Sequence, residues 1–405
     1  MNNSSWDPLD FLKGPPTSRF RNNLRDDLYY VTSMGNAGFT NQFMGLGNLI
    51  YLAMLSNRIP ILPAFAPHHH LPMEAGVIPF GDLFDLPYLR TALQMPILEW
   101  RDVKALPSAS SEDPYSPSEV ESIGCWAAGS AAVSPETVES YVRHVGLDVS
   151  YTHVPSNTRT HPENFGDHSL LFAPLAALIH PSGPSIQSKT LPLAKESPNG
   201  SRLPPDILIS CFERLYYVVS VSFAPDEWGL AWSPAWNFVG QHLRFTEPIK
   251  NLAKQYLRAI FDVPYNSQLP PFIAVHIRRG DMNALCNGAD CYQHLSTYEK
   301  AVKEIQDELL IKRGIFVKNI LVASDETNLT YWKDVNILGW KSINHTEEMT
   351  NERYGLWYPI LIDSVAQSLA TGFVGTFPST FSMVSQRRVD FWNDGVTRMV
   401  SYSYL

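Results

Sequence analysis

Apolar positions recur along this chain in two patterns, which predict strands that alternate with helices. Continuous apolar runs are typical of strands buried on both faces, and the predicted strands are 28–32, 59–65, 272–277, 320–323 and 373–377. Apolar residues at helical spacing predict the helices 41–57, 249–261, 296–310 and 360–370. The alternation indicates an α/β fold with parallel, doubly wound sheets. Because 59–65 contains two prolines, we expect that strand to be irregular or at a sheet edge.

Chain length predicts two domains, since 405 residues exceed the size at which one hydrophobic core keeps growing. Further helices are predicted around 133–145 and 170–179, between long Pro/Ser-rich loops. The strongest helix signal follows Thr246, a predicted N-cap, with Pro248 in the first turn. We therefore place the boundary near Arg244. This divides the chain into an N-terminal Rossmann-like domain, 1–244, on the acceptor side, and a C-terminal Rossmann-like domain, 245–405.

Composition excludes several classes of protein. The formal net charge of -9 and the absence of a Lys/Arg-rich run argue against a nucleic-acid partner. A small anionic ligand, in contrast, needs only one local arginine site. The N-terminus has no signal-peptide pattern, and no apolar stretch approaches the length of a membrane span.

Sequons and cysteines favour the lumen of the secretory pathway, in the ER or Golgi. Asn199, Asn328 and Asn344 each begin an Asn-x-Ser/Thr sequon. The close pair Cys286 and Cys291 is compatible with a disulfide or with two buried thiols. We therefore expect a luminal catalytic region that reaches a membrane only through an anchor absent from this chain, with a cytoplasmic location as the alternative.

Polar side chains follow three of the predicted strands of the second domain. They are Arg278, Arg279, Gly280 and Asp281 after the first strand, Asp325 and Glu326 after the next, and Ser379, Thr380 and Ser382 after the last. In an open parallel sheet, ligands bind beyond the carboxyl ends of the strands. We expect all three groups at one edge of the sheet.

The segment His276–Asp281 is the best candidate for binding a diphosphate. The planar guanidinium of Arg278 donates two parallel hydrogen bonds and keeps its charge. Asp281 is a candidate to hold that guanidinium, and His276 lies on the same face of the extended chain, where it is a candidate donor to phosphate or sugar. The alternative is a charged loop after a strand.

Other candidates have a structural reading of equal or greater weight. Ser379 and Thr380 stand at a predicted helix N-terminus, which favours phosphate, but they are also ordinary N-cap residues. Asp325 is suited to accept from guanine and equally to a turn or N-cap. In the first domain, Gly38 allows close backbone approach and Asn41 offers an amide.

We expect no metal and no cofactor. His68, His69 and His70 are consecutive, so their side chains alternate in direction and make a poor tetrahedral site. One of them, or Asp82 or Asp85, is instead a candidate to face the acceptor. The sequence identifies no general base.

Taken together, these motifs resemble the protein O-fucosyltransferase superfamily, particularly its fungal members. The segments that carry the resemblance are 38–42 (GFTNQ), 276–281 (HIRRGD), 322–326 (VASDE) and 363–382 (DSVAQSLATGFVGTFPSTFS). The resemblance implies a GT-B fold with two Rossmann-like domains that face each other across a cleft. It further implies GDP-β-L-fucose as donor, inversion at the anomeric carbon and no metal requirement.

The resemblance also implies roles for individual residues. Arg278 resembles the catalytic arginine that contacts the β-phosphate and bridging oxygen. Ser379, Thr380 and Phe381 resemble the motif that holds the donor, and Asn41 resembles the amide of the first-domain glycine loop. Some family members carry a glutamate as general base in that loop, but residues 35–40 here contain none.

The nature of the acceptor stays open at this stage. The spacing His-x-Arg-Arg-x-Asp is similar to the α1,6-fucosyltransferase branch rather than to the Notch-type branch, so it does not fix the class of acceptor. We expect a protein or a glycan, with a small metabolite as a further alternative. Two alternatives are a catalytically inactive GDP-sugar-binding protein and a GT-B transferase that uses another nucleotide sugar.

Overall fold

The computed structural model describes residues 6–107, 120–129, 134–135, 139–160, 169–183, 191–222, 224, 226–280 and 292–402. The chain divides into two compact units, Met1–Arg244 and Phe245–Leu405.

A seven-stranded sheet organises the first unit. Its strands and those of a small second sheet are β1 (Tyr30–Ser33), β2 (Ile59–Leu62), β3 (Leu98–Glu99), β4 (Glu121–Ala127), β5 (Leu147–His153), β6 (Leu170–Leu171), β7 (Leu193–Lys195), β8 (Ile209–Phe212) and β9 (Val218–Val219). The main sheet has the order β3-β2-β1-β8-β4-β5-β7, and β6 pairs with β9. Within the main sheet β7 is antiparallel to its neighbour β5, and the other pairs are parallel.

The helices of the first unit are mostly short. They are α1 (Phe20–Asn23), α2 (Phe39–Ser56), α3 (Phe80–Leu83), α4 (Leu86–Leu93), α5 (Trp100–Val103), α6 (Glu139–Val145), α7 (Phe172–Ile179) and α8 (Pro234–Phe238). The long helix α2 ends at Asn57, whose φ of 52° is the left-handed conformation that commonly terminates helices. As predicted, it connects β1 to β2 in a βαβ unit.

A five-stranded, entirely parallel sheet organises the second unit. Its elements are α9 (Glu247–Ile260), β10 (Phe272–Ile277), α10 (Leu295–Arg313), β11 (Asn319–Ser324), α11 (Leu329–Ile337), β12 (Lys341–Ser342), α12 (Thr350–Tyr354), α13 (Tyr358–Ser368), β13 (Gly372–Phe377), α14 (Thr380–Asn393) and β14 (Val396–Ser401). The strand order is β12-β11-β10-β13-β14. The three strands with polar ends, β10, β11 and β13, are therefore neighbours, and because they are parallel their polar ends lie at one edge of the sheet, as predicted.

Both faces of this sheet are buried, which explains the continuous apolar runs. Ile273, Val275 and Ile277 contribute to the core on one face, whereas Phe272 and Ala274 contribute to the core on the other. Side chains of successive strand residues point to opposite faces, so each run supplies two cores at once. A strand that is buried on both faces therefore shows no alternation of polar and apolar residues in its sequence.

The structure excludes one of the two alternatives predicted for 59–65. The strand β2 is not at an edge, because β1 and β3 flank it. Pro60 is tolerated because the pairing with β3 begins only at Ile61, one residue later. The strand β8, which lies near the centre of the sheet between β1 and β4, was not predicted.

A disulfide joins two neighbouring strands of the first unit. Cys125 in β4 and Cys211 in β8 are bonded and completely buried, across a sequence separation of 86 residues. The pair that the sequence suggested, Cys286 and Cys291, lies outside the described residues. The disulfide that the structure shows was not predicted.

One buried arginine ties the first unit together at the amino ends of its strands. The Arg58 guanidinium donates to the carbonyl oxygens of Ile179 at 2.5 Å, Tyr30 at 2.8 Å, Ile207 at 3.0 Å and Leu208 at 3.2 Å. Burial lowers the pKa of Arg58 to about 10, so the group is still charged at neutral pH. It therefore connects the end of α7 to the starts of β1 and β8.

We predict that Arg58→Met lowers the free energy of unfolding by about 3 kcal/mol, because it leaves buried carbonyl groups without their donor. Chemical denaturation monitored by tryptophan fluorescence measures this. The matched control is Arg202→Met, whose side chain is 69% exposed and whose change we expect to stay within about 0.5 kcal/mol. Equal stabilities of the two variants would refute this role for Arg58.

Candidate functional site

The carboxyl ends of β10 and β13 are joined by the hydroxyl of Thr376. This oxygen donates to the carbonyl of His276 at 2.9 Å and accepts from the backbone N–H of Arg278 at 3.1 Å. Tyr298 lies 2.7 Å away, and burial raises its pKa to about 12, so the phenol keeps its proton and donates it to Thr376. The threonine oxygen thus uses its full hydrogen-bonding capacity, and the backbone on both sides of Ile277 is fixed.

Of the two consecutive arginines, Arg279 is enclosed by aromatic rings. Its guanidinium lies 4.3 Å from the ring centroid of Tyr292 and 4.6 Å from that of Tyr331. It also forms an ion pair with Glu326. Stacking on two rings and pairing with a carboxylate give Arg279 a structural role.

Arg278 points to a different partner, the carboxylate of Asp325. Nη1 of Arg278 donates to Oδ2, and the backbone N–H of Arg279 donates to Oδ1 at 2.7 Å. The side chain of Arg278 is 21% exposed. Gly280 makes this approach possible, because a Cβ there would lie 2.2 Å from Oδ2 of Asp325. Asp325 therefore has the position near Arg278 that the sequence suggested for Asp281, a residue outside the described ranges.

Asp325 is therefore not a helix N-cap, and its carboxylate already accepts hydrogen bonds. The adjacent helix α11 has Asn328 as its N-cap. The two oxygens of Asp325 are those that guanine recognition would use, and here both accept from the Arg278–Arg279 segment. Contact of Asp325 with guanine stays a prediction.

His276 is buried beside the start of α14 as a neutral imidazole. Burial, with a smaller effect of the Arg278 charge, lowers the pKa of His276 to about 3. Its Nδ1 lies 2.6 Å from Oγ of Ser382, and the ring of Phe381 packs against it at 4.7 Å between centroids. Two residues of the first turn of α14 thus fix the imidazole.

The start of α14 follows the end of β13 after a turn with a cis peptide bond before Pro378. Ser379 is the N-cap, and its hydroxyl accepts from the N–H of Ser382 at 3.5 Å. The next residues, Thr380 and Phe381, are the first of the helix. The capping role of Ser379 is therefore real, and it leaves the positive end of the helix dipole at the same sheet edge as Arg278.

In the first unit, the end of β1 and the start of α2 form a second candidate region. Gly38 is the N-cap of α2 with φ of −68°, which any residue can adopt, whereas Ala37 before it has φ of 61°. The loop is held by Gln42, which bonds the carbonyls of Ala37 and Ala66 at 3.0 and 2.8 Å. The glycine is thus not required by the backbone conformation of the loop.

A small pocket with an enclosed volume of about 10 Å³ lies between β1, the start of α2 and the end of β8. It mixes apolar residues with polar and charged ones, and its lining consists of Ser33, Met34, Gly35, Asn36, Asn41, Gln42, Gly45, Leu46, Pro63, Arg214, Leu215 and Tyr216. The strands beside it, β1 and β8, are those where the order of the sheet changes direction. Ligands of doubly wound sheets bind at such points.

Arg214 is a charged residue of the pocket that was not predicted from the sequence. Its side chain is 12% exposed and lies 3.8 Å from Glu213, whose other oxygen accepts from the N–H groups of Ala128 and Gly129 at 3.1 and 3.3 Å. The signal that would have found it is the mostly apolar segment 207–212, in which Ser210 is the one polar residue; it contains β8 and ends two residues before Arg214.

The remaining candidates of the first unit have local structural partners. His68 accepts from the N–H of Ala37 at 2.8 Å, Asp82 pairs with Arg101 at 2.8 Å, and Asp85 caps α4. Within the described ranges, no group of three or more His, Cys, Asp or Glu side chains is arranged to hold a metal ion. A role of these residues toward an acceptor stays a prediction.

We predict that Thr376→Val lowers the free energy of unfolding by about 2–4 kcal/mol, since the buried His276 carbonyl and Arg278 N–H lose their partner. Thermal and urea denaturation measure the change. Thr371→Val is the matched control, because in the described part of the chain the Thr371 hydroxyl has no hydrogen bond. A Thr376→Val protein as stable as this control would show that the hydroxyl does not hold the two strand ends.

Solved structures of fucosyltransferases share this fold. The apo form of POFUT1 has 15% sequence identity and a TM-score of 0.53, with 93% of this chain and 98% of that chain covered. POFUT1 in complex with GDP-fucose has 15% identity and a TM-score of 0.52 over the same shares, and a GDP complex has 16%, 0.51, 94% and 99%. No curated protein sequence matches the chain.

A sequence model of one protein family also matches this chain, and it identifies the family as well as the fold. The model is described as O-FucT, GDP-fucose protein O-fucosyltransferase, and it matches residues 28–392 of 405. The matched range includes every candidate of both units, from Gly38 to Phe381. This chain therefore belongs to the O-FucT family of GDP-fucose-dependent protein O-fucosyltransferases.

Proposed function

We propose that this enzyme transfers L-fucose from GDP-fucose to a hydroxyl of a protein or glycan, with inversion and without a metal ion. The observation that carries the proposal is the position of Arg278. It follows the central strand β10, next to the start of α14, while Arg279 is held away by Tyr292, Tyr331 and Glu326. Both side chains are 21% exposed. Arg278, whose partner is the carboxylate of Asp325, is the one that we propose to contact a diphosphate at the sheet edge where ligands bind.

Charge stabilisation by Arg278 is the central catalytic step of this proposal. The bond from the anomeric carbon to the β-phosphate oxygen breaks, and its electrons leave with GDP. The acceptor oxygen bonds to the opposite face of that carbon and loses its proton to a base. As negative charge grows on GDP, the guanidinium of Arg278 and the first amides of α14 stabilise it.

Asp325 has an orienting role toward Arg278 in this scheme. Its carboxylate keeps the guanidinium at the sheet edge, and its second oxygen fixes the backbone of Arg279. The donor-binding set that we propose is His276, Arg278, Asp281, Asp325, Ser379, Thr380 and Phe381, with Gly38 and Asn41 in the first unit. Prearranged charge of this kind reduces the reorganisation needed during the reaction.

In the first unit, we propose that the surface around the pocket beside Asn41 contacts a sugar hydroxyl or an acceptor side chain. The enclosed volume of about 10 Å³ has room for about one water molecule, so such a ligand would lie against the mouth of the pocket. Amide, hydroxyl and guanidinium groups from Asn41, Ser33 and Arg214 suit sugar hydroxyls, and Leu46 and Met34 suit an apolar substituent. The region was predicted from Gly38 and Asn41 alone.

We further propose that the enzyme acts in the lumen of the secretory pathway. The buried disulfide Cys125–Cys211 is typical of oxidising compartments. The sequon residues Asn199, Asn328 and Asn344 are all exposed, as glycosylation requires. In the described residues, no helix has the length and apolar character needed to cross a bilayer.

We predict that Arg278→Lys weakens GDP binding about 10- to 100-fold, because lysine keeps the charge but loses the bidentate donor pair. Calorimetry with GDP, GDP-fucose, UDP and ADP measures affinity and nucleotide preference. The control is Arg398→Lys in the same sheet, where Arg398 pairs with Glu304 and Glu308.

Three results would contradict the proposal at different points. If Arg278→Lys bound GDP with wild-type affinity, Arg278 would not be part of the donor site. If all four nucleotides bound equally, the site would have no preference for guanine. If GDP-fucose bound tightly but was neither hydrolysed nor used to modify any hydroxyl acceptor, the protein would not be a transferase.

We predict that protein produced through a eukaryotic secretory pathway carries N-glycans on Asn328 or Asn344. Peptide mass spectrometry before and after treatment with an N-glycosidase measures the occupancy of each sequon, since the glycosidase converts a glycosylated Asn to Asp. Replacing Thr330 or Thr346 by Ala removes each sequon in turn and serves as the control. Unmodified sequons in a correctly secreted protein would count against luminal exposure.

A further inference from the structure

Ser382 is buried beside His276. The position of the proton between the serine hydroxyl and Nδ1 determines which ring nitrogen of His276 can donate a hydrogen bond. Its hydroxyl oxygen accepts from the backbone N–H of Thr376 at 2.9 Å and lies 2.6 Å from Nδ1 of His276. Ser382 is completely buried, and His276 is 7% exposed. Neither group can therefore exchange its partner for bulk water without a change in structure.

The direction of the bond between Ser382 and His276 follows from counting protons. A serine hydroxyl has one proton to donate, and the N–H of Thr376 already occupies one of its acceptor positions. In the described part of the chain, Nδ1 of His276 is the acceptor within reach of that proton. If Nδ1 carried the proton instead, the buried serine proton would lose its hydrogen bond, at a cost of about 1–3 kcal/mol.

A neutral imidazole that accepts at Nδ1 carries its proton on Nε2. Desolvation and the nearby positive charge of Arg278 keep this ring neutral, which agrees with a serine that donates rather than accepts. The ring of Phe381, 4.7 Å away, limits its rotation. His276 is thus fixed both in orientation and in tautomer by neighbouring residues of α14.

We propose that Ser382 is a positioning residue that fixes His276 as an Nε2–H donor toward an acceptor atom of the bound nucleotide. This inference rests on the proposed function, since it assumes that the nucleotide binds at the carboxyl edge of β10. Thr376 has a second part in it, because its N–H orients the Ser382 hydroxyl while its own side chain holds the His276 carbonyl. Neither serine nor threonine needs to touch the ligand.

The tautomer can be tested in the wild-type protein without nucleotide. Labelling with ring-¹⁵N histidine and long-range ¹H–¹⁵N correlation distinguish a protonated from an unprotonated ring nitrogen, and a His276→Gln spectrum assigns the signal. We expect unprotonated Nδ1 and protonated Nε2 at neutral pH. A proton on Nδ1, or on both nitrogens, would overturn the proposal irrespective of any nucleotide binding.

The positioning role is tested by a double-mutant cycle of GDP affinity. We expect Ser382→Ala to weaken GDP binding about 5- to 30-fold, and to have no further effect when His276→Gln is already present. Ser385→Ala is the matched control, a buried serine one turn further along α14 without a hydrogen bond to His276. It should bind GDP like the wild type.

The outcomes separate this inference from the proposed function. Folded Ser382→Ala with wild-type affinity, or an equal loss in the presence and absence of His276, would overturn the positioning role. Wild-type protein that shows the expected tautomer but no GDP binding would instead contradict the proposed function. Melting curves identify variants that fail to fold. If Ser382→Ala is among them, the NMR spectrum of the wild-type protein still tests the proposed tautomer of His276.

Discussion

The hydroxyl of Thr376 is the interaction on which the site in the second unit depends. It joins the ends of β10 and β13 by bonding the residues on both sides of Ile277, and Tyr298 from α10 completes its coordination. Parallel strands are held along their length by backbone hydrogen bonds, but those bonds stop where the strands end. At this edge the Thr376 side chain replaces those backbone hydrogen bonds, so the backbone positions of His276 and Arg278 are fixed.

From those points, each polar side chain has a distinct environment. Both arginine side chains are 21% exposed, but Arg279 lies between two tyrosine rings, whereas Arg278 pairs with Asp325. His276 is buried and neutral against the first turn of α14. A permanently charged group and an uncharged donor are thus placed next to a helix N-terminus, an arrangement suited to a leaving group that gains negative charge during transfer.

The sequence predicted the second unit better than the first, for physical reasons. Buried parallel strands such as β10 are continuous apolar runs, and their order along the chain brought Arg278, Asp325 and Ser379 to one edge. The short strand β8 was missed because Ser210 interrupts its apolar run, and Arg214 was missed with it. Partners from distant segments could not be foreseen: the disulfide spans 86 residues, and Tyr292 and Tyr331 pack against Arg279.

The central claim is that this member of the O-FucT family holds its donor diphosphate with Arg278 and the start of α14. A crystal structure of the protein with GDP-fucose tests it most directly. We expect phosphate oxygens at charge-assisted hydrogen-bond distance from the Arg278 guanidinium, about 2.7–2.9 Å, next to the first amides of α14. A diphosphate bound elsewhere, with Arg278 in contact only with Asp325, would contradict the account.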